Sequence, residues 1–287
     1  FIWLFQGLGK IRIVSIINTI SKLLILPLTF IFVKSAEDYN LAALIQSFTY
    51  VLSSIFTIIF LIKNKYITGW FISTKDRIKT ELKSAYPIFL SIAATSIYTA
   101  SFPIILGLFS SPVEVGKYTA AEKIMRSLCY FVFIPISQSF FPKVSELSLK
   151  SKKEAISLVK KLLYLMVGIM IILFILLYFF STPLTHFLGK DYGNTDVLLK
   201  IMAVIPLMIA SGGILGQFGI LAIGNEEDKK KFQKVYFIAG ISSIFFVLIL
   251  TPLYSAMGVS IALLLTESLV ASLMFFHWKA VKDRELG

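Results

Sequence analysis

Residues 162–180 read Leu-Leu-Tyr-Leu-Met-Val-Gly-Ile-Met-Ile-Ile-Leu-Phe-Ile-Leu-Leu-Tyr-Phe-Phe, without a charge, directly after Lys160 and Lys161. A helix needs about 20 apolar residues to cross the hydrocarbon layer of a bilayer, and this run is that long. In a soluble fold such a helix would have to sit at the centre of a large core. The rest of the chain removes that option. Of its 287 residues 57% are hydrophobic, and only 15% are charged, against about 25% in a typical soluble domain. The mean hydropathy is +0.83, and Phe alone occupies 26 positions. Disorder is excluded on the same ground, because disordered chains are apolar-poor and charge-rich. A polytopic, all-α integral membrane protein remains. At roughly 30–35 residues per span and loop, the length accommodates about eight or nine spans.

Working outward, eight apolar stretches qualify, at about 13–33, 40–62, 85–109, 119–141, 162–180, 198–220, 235–254 and 256–276. The fourth is uncharged only from Ser127 to Pro142, so its first turns carry Glu122, Lys123 and Arg126. The last two are separated by the tight Tyr254-Ser255-Ala256 turn. Residues 65–84 form an amphipathic cytoplasmic segment in which Trp70, Phe71, Ile78 and Leu82 face lipid and Lys75, Arg77 and Lys79 face headgroups. It divides the chain into residues 1–64, the linker 65–84, and residues 85–287.

The net charge of +12 arises from 28 Lys and Arg against 16 Asp and Glu. In a soluble protein this balance suggests nucleic acid. Here the cations lie in the gaps between apolar runs, which points to membrane orientation and to no nucleic-acid partner. Alternating the eight spans puts 21 cations on one side and 6 on the other, with Lys22 inside a span. The positive side is cytoplasmic, so both ends of this chain are expected there. The sequence begins without Met or a signal-peptide pattern, and a fragment is the expectation.

Enzyme chemistry has no visible seat. Paired catalytic carboxylates, zinc-ligand spacing and nucleophile elbows are missing, and His186 and His277 fall on opposite sides of the membrane. Gly7-Leu8-Gly9-Lys10 lacks the spacing and preceding strand of a phosphate loop. The one cysteine, Cys129, sits in an apolar run and reads as a packing residue.

Polar groups at membrane depth carry more information, because they are costly unless they face a protein interior or wet cavity. The first span places Ser15, Asn18 and Lys22 on one face; Lys22 either lines a cavity or snorkels to the interface. In the fourth span Glu122 and Arg126 are spaced i, i+4 with the acid first. They read either as an interfacial ion pair or, with Lys123, as a cationic cavity rim. Gln138 and Gln46 either line the same space or bond neighbouring helices. Ser91, Thr95 and Tyr98 form a polar stripe on the third span, which Pro87 and Pro103 can bend. In the sixth, Pro206 precedes Gly212, Gly213, Gly216 and Gly219, a pattern that permits close packing and a kink. Glu267, the one acid in mid-span, is a candidate for ion coupling or a structural bond.

Trp3-Leu4-Phe5-Gln6-Gly7 resembles the Trp-x-Phe-Gln-Gly signature of the Wzx-type polysaccharide flippases, or O-antigen transporters. Residues 32–39, Gly116 through Lys123, Pro135-Ile136-Ser137-Gln138 and Phe141-Pro142 are similar to later family segments in the right order. The resemblance implies a MATE-like transporter of twelve helices in two six-helix lobes, of which this chain would hold helices five to twelve. It implies translocation of polyprenyl-diphosphate-linked repeat units from the cytoplasmic to the periplasmic leaflet of the bacterial inner membrane. It also implies proton or sodium coupling without a cofactor, and a polysaccharide polymerase and chain-length regulator as partners besides the lipid-linked oligosaccharide and membrane lipids. The alternatives are a multidrug or other lipid exporter, a membrane-bound sugar polymerase or transferase, and a purely structural membrane partner.

Overall fold

Uninterrupted apolar sequence at this length can satisfy its backbone in lipid only by helix formation, and the computed structural model is helical throughout its regular elements. It describes residues 4–5, 11–66, 73–189 and 192–286. The helices are α1 (Ile11–Phe32), α2 (Tyr39–Lys63), α3 (Lys75–Phe109), α4 (Pro112–Lys150), α5 (Lys152–Phe179), the short α6 (Ser181–His186), α7 (Thr195–Met202), α8 (Ile205–Gly213) and α9 (Glu226–Leu286). A π-helix, Ile214–Leu221, continues from α8. Among the described residues six helical stretches are long and apolar enough to cross a membrane. Their apolar surfaces stand open: Phe30 and Phe131 are each 80% exposed. Apolar surface of this extent marks contact with hydrocarbon or with further protein.

The chain divides into two compact units, Phe1–Lys79 and Thr80–Gly287. In the first, α1 and α2 pack as a hairpin. The turn between them is held by Asp38, whose carboxylate accepts from the Lys34 and Ser35 backbone amides, each at 2.9 Å, and from the Ser35 hydroxyl. Those bonds hold the Asp38 carboxyl below its usual value. Farther along the hairpin the Ser53 hydroxyl donates to the Asn18 side chain.

In the second unit the helix boundaries follow from capping. Ser111 caps α4 ahead of Pro112, its hydroxyl accepting from the Glu114 amide. Ser151 ends α4 with its amide and starts α5 with its side chain. At the start of α9, Asn225 and Asp228 exchange backbone-to-side-chain bonds at 2.9 and 3.0 Å, and Arg284 from the far end of α9 clasps the same carboxylate with both terminal nitrogens. The fourth helix is much longer than its apolar run, because α4 continues beyond the span at both ends. Residues 75–84 form the first turns of α3, so in the structure this part of the linker continues directly into the third apolar run; residues 67–72, including Trp70 and Phe71, lie outside the described set.

The long α9 breaks once, at Ser255, where φ is 51°, uncommon for a residue with a side chain. The Ser255 hydroxyl bonds Ser110, at the end of α3, at 2.5 Å. Gly258 is required beside this break, since a Cβ there would strike the Leu250 carbonyl. The residues 254–256 turn therefore folds α9 back on itself and places its chain reversal next to the α3–α4 turn. At the opposite ends of these helices, Lys152 donates to the Ile223 carbonyl and Ser148 to that of Ala222. Two apolar clusters fill the unit, one including Phe133, Met166, Phe218 and Trp278, the other Phe102, Tyr118, Leu199 and Leu263.

Candidate functional site

The charges of α4 fall where these two clusters meet. Met125 belongs to one and Cys129 to the other, and Arg126 lies between them. Cys129 is a free, fully buried thiol within the packing. Every fourth residue of an α-helix shares a face, so Glu122, Arg126 and Tyr130 project together. The guanidinium Nε donates to Glu122 Oε1 at 2.8 Å, and one terminal nitrogen donates to the Tyr130 hydroxyl at 3.1 Å. The other terminal nitrogen is buried with no hydrogen-bond partner, as is the Tyr118 hydroxyl one turn before Glu122.

That free nitrogen points toward Glu267 of α9, whose Oε1 stands 3.9 Å away. This is an ion pair without a hydrogen bond. The Arg126 and Glu267 side chains are 16% and 7% exposed. Two carboxylates thus face one guanidinium, and the cluster carries one formal negative charge in excess. Tyr118 and Tyr236 lie within electrostatic range of Glu267. Burying an unpartnered guanidinium nitrogen is costly. A guanidinium nitrogen left in this state can donate one further hydrogen bond, to a carboxylate or a phosphate oxygen.

The remaining sequence candidates are distributed as follows. Lys123 is exposed on the flank of α4, and Gln138 is exposed farther along it. Neither joins the cluster. In the first unit Lys22 and Gln46 line one recess of about 450 Å³ together with Ser47, Thr49 and Tyr50. Asn18 is engaged with Ser53 across the hairpin. The side chains of Ser91, Thr95 and Tyr98 lie outside the described set. Among the described residues no three His, Cys, Asp or Glu side chains come together as a metal site.

Sequence reasoning missed three features. Tyr130 could have been found, since it stands four residues after Arg126. Tyr118 and Tyr236 carry no spacing signal that links them to Glu267. The third is the contact of Ser137 with Gln217, whose carboxamide oxygen accepts the Ser137 hydroxyl at 2.8 Å.

Comparison with known proteins agrees with this architecture. A protein described as an O-antigen transporter of Escherichia coli (strain K12) is 32% identical over 95% of this chain and 65% of its own length. A second of that description, from Shigella dysenteriae, is 36% identical over 98% of this chain and 68% of its own length. The capsular polysaccharide biosynthesis protein CapF of Staphylococcus aureus is 25% identical over 97% of this chain and 70% of its own length. The chain therefore spans about two thirds of the length of these relatives. In fold it is similar to the lipid II flippase MurJ in an inward closed conformation, with a TM-score of 0.74 at 17% identity, covering 98% of this chain and 61% of that one. A family of polysaccharide biosynthesis proteins matches residues 1–148, and with the extent of the O-antigen transporter likeness this establishes that the chain belongs to that family.

Proposed function

We propose that this chain is part of a flippase that carries polyprenyl-diphosphate-linked saccharide repeat units from the cytoplasmic to the periplasmic leaflet of the bacterial inner membrane. The observation that carries the reading is the buried, unpartnered guanidinium nitrogen of Arg126. An ionised group cannot cross hydrocarbon unaided, at a cost of tens of kcal/mol by a Born estimate. A fixed, partly desolvated cation in a helical lobe offers the diphosphate a path. With the cell interior negative, outward movement gains roughly 2.3 kcal/mol per negative charge per 100 mV. Glu122 and Tyr130 orient the guanidinium and leave one edge for phosphate oxygens. Glu267 competes for that edge, and a proton or sodium ion that neutralises it would couple ion binding to release or capture of substrate. The recess at Lys22 and Gln46 supplies polar lining in the other unit.

The architecture of this reading is eight spans, helices five to twelve of a twelve-helix, two-lobe transporter. The two arms of α9 on either side of Ser255 are separate spans, and α3 is a span. The bonds of Lys152 and Ser148 to residues 222–223, and of Arg284 to Asp228, gather lysine-rich turns at one end of the second unit. This supports a cytoplasmic assignment for that end and for the C-terminal residues beside it; the N-terminal end is assigned there on the charge alternation of the sequence alone. The division at residues 79–80 supports a lobe boundary near the 65–84 linker. A polymerase and a chain-length regulator are the partners such a flippase would feed.

The test is complementation. The full-length protein, expressed in a flippase-deficient strain with its own repeat-unit genes, restores surface polysaccharide. Failure at normal membrane abundance, in a strain that still makes the lipid-linked unit, overturns the reading.

A further inference from the structure

The face of α4 that carries Arg126 does not end at Tyr130. Phe133, Ser137 and Phe141 follow at helical spacing, and Ser137 lies eleven residues beyond Arg126, roughly 16 Å along the axis. Opposite Ser137 runs the π-helix Ile214–Leu221. Such helices are rare, and are found mostly as single-turn insertions at functional sites. This one is held from several sides by glycines that leave no room for a side chain. A Cβ on Gly213 would meet the Phe133 ring, on Gly216 the Phe232 ring and Met274, and on Gly219 the Trp278 indole.

Within the sequence Ile-Leu-Gly-Gln-Phe-Gly-Ile-Leu the one polar side chain is Gln217. Its carboxamide oxygen accepts from Ser137 at 2.8 Å. Among the described residues the amide nitrogen has no protein partner, and it is not sealed off, since both Gln217 and Ser137 are half-buried. Whichever way the amide is turned, Ser137 satisfies one end and leaves the other. Packing alone does not call for this arrangement, because an apolar side chain would fill the volume without a half-satisfied amide at membrane depth. Phe141, one turn beyond Ser137, rests against the buried Phe218 with ring centroids 6.2 Å apart and remains 36% exposed. It offers a flat apolar surface one helical turn from Ser137 and against Phe218, the residue that follows Gln217.

We propose that Gln217 and Phe141 form a saccharide subsite, in which Gln217 bonds a hydroxyl or acetamido group with the end of its amide that Ser137 does not occupy, and Phe141 supports the C–H face of a sugar ring. The assignment rests on the flippase reading and extends it: the diphosphate is held at Arg126 while the subsite contacts a sugar beyond the first. The π-helix fixes Gln217 in register for that contact, which makes it a determinant of repeat-unit specificity.

The experiment uses the full-length protein in proteoliposomes with two probes: the complete lipid-diphosphate-linked repeat unit, and the same lipid diphosphate bearing its first sugar alone. Gln217→Leu is expected to slow the complete unit about tenfold, the equivalent of about 1.4 kcal/mol, and to leave the single-sugar probe within threefold of wild type. Ser137→Ala, which keeps the outward end of the amide, is expected to change both probes less than threefold. Equal slowing of both probes by Gln217→Leu, or no slowing of either, overturns the subsite. So does a Ser137→Ala effect as large as that of Gln217→Leu, because the pair is then a helix-to-helix bond and nothing more. Wild-type protein that moves neither probe overturns the flippase reading itself, a result distinct from all of these.

Discussion

Replacing Arg126 by Ala removes the one cation from a buried cluster and leaves Glu122 and Glu267 facing each other. The attraction lost is substantial: at an effective dielectric of about 20, a unit charge pair at 3.9 Å is worth roughly 4 kcal/mol, and a closer pair more. Loss of one partner from a buried ion pair typically costs about 3–5 kcal/mol, because the remaining charge is uncompensated. The exposures of the three side chains, 16%, 13% and 7%, are low enough for this range to apply. At the specific entropies of soluble proteins, that corresponds to a fall in melting temperature of about 5–8 °C for a chain of 287 residues. Arg126→Ala combined with Glu122→Gln removes one of the two stranded charges and is expected to recover at least half of the loss. Transport should stay absent in the double variant, since the guanidinium proposed to hold the phosphate is still missing. Arg126→Lys retains the charge but has no planar fork to serve Glu122, Tyr130 and a phosphate together, so it should keep part of the transport. The assay is thermal stability of the purified full-length protein, paired with surface polysaccharide at measured membrane abundance. If Arg126→Ala melts with wild-type protein and makes wild-type polysaccharide, the cluster is neither a structural ion pair nor a phosphate site. The cation would then be an interfacial anchor that any long side chain could replace.

Other positions test separate parts of the account. Glu267→Gln keeps shape and hydrogen bonding while removing ionisation; it should lower transport at normal membrane abundance, and full transport would reduce Glu267 to a packing residue. Gly258→Ala places a methyl against the backbone carbonyl of Leu250, which no rotamer relieves. It should lower stability by about 3 kcal/mol or more, read as loss of folded protein in detergent, and a neutral result would mean the reversal at Ser255 is built differently. Asp38 supplies a pH dependence: its carboxyl is held below the usual value by bonds from Lys34 and Ser35. Its contribution is therefore complete above about pH 4, the ordinary aspartate range, and is lost as pH falls through the lower folded value. Exchange protection of the Lys34 and Ser35 amides should follow that loss, and this acid-induced loss should be absent in Asp38→Asn, whose carboxamide oxygen accepts without titrating.

The sequence displays its helices openly, because a run such as residues 162–180 has no alternative in lipid, and the turn at residues 254–256 is visible as a polar pair between apolar arms. The Glu122–Arg126 pair was equally legible, since an i, i+4 spacing is a property of the helix and not of the fold. What could not be read is everything set by packing between distant segments. Glu267 reaches Arg126 only because α9 folds back at Ser255 and lies against α4. Asn18 suggests a cavity from its neighbours alone, and the structure gives it Ser53 as a partner across the hairpin. The π-helix is hidden for a different reason: Ile214–Leu221 has the same hydropathy in an α- or a π-winding. Only the close approach of Phe133, Phe232 and Trp278 to three glycines shows how tightly that segment is held.

The measurement that reaches the central claim most directly is the leaflet position of the lipid-linked repeat unit in cells. In a flippase-deficient strain that makes the unit, its sugars are chemically accessible from the periplasm only after translocation. Expression of the full-length protein is predicted to make them accessible to an impermeant oxidant such as periodate, while Arg126→Ala at equal abundance leaves them protected. Sugars that stay protected with abundant wild-type protein, or that are accessible in its absence, would contradict the account.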